Sequence, residues 1–238
     1  MPQSPDSLTN PVPAALHGRL HAFGAVRGGA VRFDAEVSPF AGLPPTPSGD
    51  DWVDLAALCE PASPAVLVRP GDGPPDLPPG WSLVHPFPGV QMEGSGLQTE
   101  PDEHAVELGP DDRAEMAGLA ARTRPGPWLA RTAELGRYLG IRHDGRLVAM
   151  AGERMRLGPE GAGGACEISA VCTDEEWRGK GLAARLVRAV AAGIVARGEL
   201  PVLHASAVNE GAIRLYRRMG FTITREMRFD MVQAPVTG

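Results

Sequence analysis

The chain lacks most of the residue patterns that would place it in several common function classes. It has three cysteines, Cys59, Cys166 and Cys172, and their spacing fits neither a metal site nor a disulfide framework. Cys166 and Cys172 are expected as small buried residues in or beside a strand, and no metal is expected. No window reaches the roughly 18 apolar residues of a membrane span. The opening MPQSPDSLTNPVPAAL has no basic start and no long apolar run, so no secretory signal is expected. Basic runs are missing as well: 23 Lys and Arg stand against 29 Asp and Glu, a net charge of −6. Neither nucleic acid nor a membrane is therefore an expected partner. The 30 Gly and 24 Pro follow no repeat, which excludes collagen and marks long irregular connections. What remains is a globular composition, 43% apolar and 22% charged, and the expectation of a reduced, cytoplasmic protein.

The most informative stretch is EISAVCTDEEWRGKGLAARL, Glu167 to Leu186. It opens as a strand, with Ile168, Ala170 and Cys172 alternating with Ser169, Val171 and Thr173. An acidic turn, Asp174-Glu175-Glu176, leads to Arg178-Gly179-Lys180-Gly181. A helix follows, because Leu182, Leu186, Val190 and Ile194 recur every fourth residue. A strand feeding a glycine-rich turn at a helix start suits an anion. Glycine lets backbone N–H groups approach it, and the first-turn N–H groups have no partner within the helix. The Walker phosphate loop is ruled out, since Leu182 follows Gly181 and no Ser or Thr follows the lysine. Gly179-x-Gly181-x-x-Ala184 does meet the Rossmann pattern. However, a polar run separates it from its strand, and the next strand, Val202 to Ser206, offers no ribose-binding carboxylate.

Arg178-x-x-Gly181-x-Ala183 also satisfies [RQ]-x-x-G-x-[GA], and there the chain resembles the GNAT superfamily of acyl-CoA-dependent N-acyltransferases. A second block agrees. Asn209 to Phe221 is similar to that superfamily's N-x-x-A-x-x-x-Y-x-x-x-G-F signature, with Asn209 suited to cap a helix and Gly220 to end it. The resemblance covers about residues 105–231. It implies an α/β fold with a mixed sheet: a GNAT-like N-acetyltransferase domain at 101–238 behind a smaller α/β domain at 1–100. By analogy that first domain would be a degenerate half of similar build, and no role is assigned to it.

Other elements are legible too. Residues 1–13 read as frayed and 14–23 as a short helix. Asp50 or Asp51 is expected to cap a helix through Trp52, Leu55 and Leu58. Strands are expected at Ala30–Phe33, Ala65–Val68, Trp81–Val84 and Ala105–Leu108. Polar Gln91–Asp102 reads as the boundary between halves with separate cores. Arg137–Arg142 and Arg146–Leu157 form a hairpin across His143-Asp144-Gly145.

The resemblance also implies roles. The strand before the loop would splay from its neighbour, so that Val171, Cys172 and Thr173 contact the pantetheine arm of acetyl-CoA, the cosubstrate. Arg178, Gly179, Lys180, Gly181, Leu182, Ala183 and Ala184 would hold the pyrophosphate, with the Lys180 side chain either adding charge or standing solvated. Asn209 would cap its helix and contact the coenzyme. Tyr216 would be the general acid that protonates the departing thiolate, if it does more than pack against the sheet. Glu167, eleven residues before Arg178, matches a catalytic base position, where a raised pKa would let it take a proton from the amine; the bland alternative is an exposed strand carboxylate. Glu153 and His204 compete for that role. The region 122–134 would line the acceptor site. The implied activity is acetyl transfer to a primary amine of a small molecule or amino acid, by direct attack in a ternary complex. A non-catalytic coenzyme A-binding module and a Rossmann oxidoreductase are the alternatives.

Overall fold

The computed structural model describes residues 5–59 and 63–235. Its N-terminal half contains α1 (Pro5–Thr9), α2 (Pro11–Leu16), β1 (Gly24–Arg27), β2 (Ala30–Phe33), β3 (Phe40–Gly42), α3 (Gly49–Leu58), β4 (Ala65–Pro70), β5 (Ser82–His85) and β6 (Pro88–Glu93). Then come β7 (Ala105–Leu108), α4 (Arg113–Thr123), β8 (Tyr138–His143), β9 (Arg146–Leu157), β10 (Ala165–Thr173), α5 (Leu182–Ala196), β11 (Leu200–Ser206), α6 (Glu210–Met219) and β12 (Thr222–Gln233). The strands make one mixed sheet in the order β1-β2-β3-β4-β12-β6-β11-β10-β9-β8-β7, with β5 also on β12. Among the described pairings only β10 with β11 and β3 with β4 run parallel. That is not the parallel sheet a Rossmann domain requires, and the dinucleotide alternative ends here.

Local chemistry explains the elements. In α5 the every-fourth-residue stripe is buried, and Leu186, Val187 and Ile194 pack on Ile168, Leu203 and Met92 of the sheet. The hairpin between β8 and β9 turns on Asp144 and Gly145, both at positive φ (48° and 78°), the twist a two-residue turn needs. For α3 the expected aspartate cap is corrected to Ser48. The Ser48 hydroxyl accepts from Asp51 N–H while the Asp51 carboxylate accepts from Ser48 N–H, a reciprocal capping box.

Two expectations about the N-terminal half change. Residues 1–4 of the stretch read as frayed lie outside the described residues, but from Pro5 onward the chain is helical. Leu8, Val12 and Leu16 are buried with Met155, Leu157, Ala165 and Val202. Proline is tolerated there because the first N–H groups of a helix are unpaired in any case. Gln91–Asp102, read as a polar connection, begins inside the sheet. Gln91 is fully buried in β6, which pairs with β11 on one side and β12 on the other. The halves therefore share cores instead of each closing its own.

Candidate active site

The site forms where β10 and β11 part. Their parallel register runs from Ala165↔Leu200 to Ile168↔Leu203 and stops, although both strands continue. On its other edge β10 stays paired with β9 as far as Thr173↔Ala149. Between Ser169↔Gly152 and Cys172↔Met150 two residues of β10 oppose one of β9, a bulge at Ala170–Val171 with Ala170 at φ 52°. A bulge bends its strand and increases the local twist, which turns β10 away from β11. Val171, Cys172 and Thr173 thus lie on an edge that β11 no longer covers. Thr173 Oγ1 is buried and has no hydrogen-bond partner among the described residues. Cys172 is buried, and burial pushes its thiol pKa up, which disfavours the thiolate.

The turn beyond β10 is clamped. Asp174 N–H donates to Val148 O at 2.8 Å, and its carboxylate accepts from Arg122 at 3.0 Å and Arg146 at 2.6 Å. Burial would raise the Asp174 pKa, but these arginines outweigh it and hold the carboxyl below its usual range. The clamp accounts for an acidic residue at this turn, a role that sequence reasoning missed because both partners are remote in the chain.

Arg178 to Gly181 are exposed, and Gly179 and Gly181 sit at φ 77° and 78°. A Cβ on either would meet no atom within 4 Å. The backbone here therefore borders open space at the start of α5, a cradle that side chains would fill, and the N–H groups of Leu182, Ala183 and Ala184 have no intrahelical acceptor. Such a cradle of backbone N–H groups suits an anion. The Lys180 ammonium lies over the Trp177 ring, 3.9 Å from its centroid, and Arg178 Nε points at Thr173 O at 3.4 Å. Arg185, one turn into α5, makes a two-pronged pair with Asp102 at 2.6 and 2.8 Å.

On the next helix, Asn209 Oδ1 accepts from Ala212 N–H at 3.1 Å, and Gly220, at φ 106°, ends α6. Tyr216 is half-buried with its ring edge-on to Phe221. Burial pushes the phenol up to about 12, so at neutral pH it holds its proton.

The base candidates come out differently from expectation. Glu167 is fully buried. Burial alone would raise its pKa, but the Arg154 guanidinium, with His204 behind it, holds the carboxyl at about 2. Arg154 donates twice, from Nε at 2.8 Å and from a terminal nitrogen at 2.5 Å. The expected raised pKa is thus reversed, and the exposed-carboxylate alternative fails as well. His204 Nδ1 lies 2.7 Å from Glu167 and its Nε2 lies 3.1 Å from Gln91 Nε2. Arg225 donates to Gln91 Oε1 at 2.6 Å and Gln91 Nε2 donates to Leu8 O at 2.8 Å, which fixes the amide orientation. Gln91 must then donate to His204 Nε2, so Nδ1 carries the imidazole proton. Glu153 is also spoken for, by Arg197 at 3.0 Å and Arg156 at 3.2 Å. Gln91 and Arg154 were not foreseen; nothing in their local sequence shows that strand pairing will bring them to Glu167.

A cavity of about 360 Å³ opens between α4 and residues 124–133, inside the region expected to line the acceptor site. Ala120 of α4, in its lining, belongs to the same buried cluster as Ala170 and Cys172 of the bulge region.

Comparison with known proteins agrees with this fold. The family model described as FR47-like protein matches residues 138–229. A GNAT-family protein from Novosphingobium aromaticivorans is 41% identical over 95% of this chain and 98% of its own, with a TM-score of 0.84. A GCN5-related N-acetyltransferase from Kribbella flavida shares the fold at 20% identity and a TM-score of 0.58, over 94% of both chains. A GCN5-related N-acetyltransferase-like protein from Streptococcus suis does so at 16% and 0.55, over 91% of this chain and 90% of its own. No curated protein matches the chain. The fold and site define an acyltransferase that uses acetyl-CoA. The chain belongs to the GNAT family.

Proposed function

We propose that this acyltransferase moves the acetyl group of acetyl-CoA to a primary amine of a small molecule or amino acid, by direct attack while both substrates are bound. The parting of β10 from β11 directly before the glycine cradle carries this reading. The β11-facing edge at Val171, Cys172 and Thr173, which β11 no longer covers, suits the pantetheine amides. The backbone from Gly179 to Ala184, with Arg178 beside it, suits the pyrophosphate, and Asn209 borders the same end of the site.

The thioester supplies an activated acetyl group. Freed N–H groups on the β10 edge donate to the oxygen as charge develops on it. Tyr216 donates its phenolic proton to the sulfur as the C–S bond breaks and recovers it from solvent. Glu167 is a positioning residue in this scheme: it anchors Arg154 and orients His204 beneath the gap. Because Glu167, Glu153 and His204 are held by Arg154, Arg156, Arg197 and Gln91, the acceptor reacts as the fraction of amine already deprotonated, and its second proton leaves to water.

Titration calorimetry with acetyl-CoA, followed by a thiol-release assay over a panel of amines, tests the reading. Binding with acceptor-dependent thiol release supports it. Binding without release by any primary amine would remove the acceptor class. The rate should rise about tenfold per pH unit until the acceptor's own pKa is reached; a plateau well below that pKa would reveal a protein base.

A further inference from the structure

Most arginines of the site region are paired. Arg122 and Arg146 hold Asp174, Arg154 holds Glu167, and Arg142 holds Asp112 and Glu115. Two arginines at the cavity beside α4 are different. Arg113 reaches Glu134 only at 3.3 Å, and Glu134 is shared with Arg131 at 3.0 Å. Arg124 has no side-chain hydrogen bond or ion pair among the described residues. Its backbone is left-handed, φ 50° and ψ 59°, at the C-cap of α4. Glycine takes that position freely, whereas an L-residue there costs roughly 1–2 kcal/mol. Non-glycine residues held in this conformation cluster at ligand sites. No carboxylate among the described residues lines the cavity, although carboxylates outnumber basic residues in the chain as a whole. The remaining wall is apolar, including Ala117, Ala121, Trp128 and Leu129.

We propose that this cavity reads an anionic group on the acceptor. The substrate would be a primary amine that carries a carboxylate or phosphate, with an apolar body against Trp128. This narrows the function proposed above and rests on it. A planar guanidinium matches either anion with two parallel N–H bonds, and an arginine without a partner in the free protein gives up no existing pair to bind one. The volume suits a ligand of amino-acid size or somewhat larger. The cavity also lies on the core that backs the bulge, since Ala120 lines it and belongs to the same buried cluster as Ala170 and Cys172.

The test is calorimetric binding to the full chain, saturated with coenzyme A, of matched pairs: leucine and 3-methylbutylamine, phenylalanine and phenethylamine, phosphoethanolamine and ethanolamine. The anionic member of at least one pair should bind about 10–100-fold more tightly, the range for a charge-assisted hydrogen bond. The pairs distinguish carboxylate from phosphate. Arg124→Gln should abolish that preference with acetyl-CoA affinity and melting temperature unchanged, and Arg124→Lys should restore part of it. Equal binding within every pair, no binding of any anionic member at millimolar concentration, or a preference that survives Arg124→Gln would overturn the inference. Loss of the wider reading would show separately, as failure of the wild-type chain to bind acetyl-CoA.

Discussion

Glu167 sits in the interior with no access to water, and an isolated carboxylate could not remain ionised there. Arg154 makes it possible, and Phe40 in turn supports that guanidinium, 4.7 Å from the ring centroid. Removing the charge leaves Arg154 buried and unpaired, so Glu167→Gln should lose about 3–5 kcal/mol of stability in urea unfolding. The folded pKa, about 2, lies below that of an unfolded glutamate. The pair's contribution is therefore complete above about pH 4.3. It disappears as the pH falls towards 2, because the unfolded chain takes up the proton first. Acid unfolding of the variant should lack that component; an identical acid profile would mean that Glu167 is not ionised in the folded chain. Tyr216 makes the complementary case. Tyr216→Phe keeps the ring against Phe221 and removes only the donor, so acetyl-CoA affinity should persist while kcat falls by about 10²–10⁴-fold. A fully active variant would mean that the thiolate leaves without help from the protein.

At the scale of elements, β10 and the start of α5 act together. The bulge turns the strand out of register with β11, the Asp174 clamp fixes the turn, and the two left-handed glycines deliver the chain to the helix with its N–H groups exposed. Gly181→Val should fail for two reasons. Valine resists φ 78°, and its side chain would occupy the open side of the cradle. We expect at least a tenfold loss of acetyl-CoA affinity by calorimetry, with the variant still folded by circular dichroism. Unchanged affinity would take the loop out of the coenzyme site.

At the scale of the whole molecule, β6 decides how the halves depend on each other. It joins β11 to β12, and its Val90 and Met92 share a core with Leu186 and Leu203. A fragment of residues 101–238 would leave β12 without a partner strand, one edge of β11 open and that core uncovered. It should not melt cooperatively on its own. A full chain nicked within the largely exposed stretch 95–104 should instead elute as one particle under native conditions. Cooperative melting of the fragment near the full chain's temperature would show that the two units are independent.

Sequence alone determined what depends on near neighbours. The α5 stripe, the glycine turn, the Asn209 and Gly220 caps and the Asp-Gly hairpin are encoded within a few residues each, and their spacing carries the resemblance that led to the family. The buried pairs follow another rule. Glu167 meets Arg154, His204 and, through His204, Gln91 only because β9, β11 and β6 are laid beside β10 and each other in one sheet. From sequence, a glutamate eleven residues before Arg178 reads as a base; in the fold, an arginine on the adjoining strand makes it a fixed anion. Likewise Arg124, without a side-chain partner beside α4, is conspicuous only once Arg113, Arg122, Arg142, Arg146 and Arg154 have found their carboxylates. Charge is a property of a residue, but the energy of that charge depends on what the tertiary structure places within a few ångströms of it.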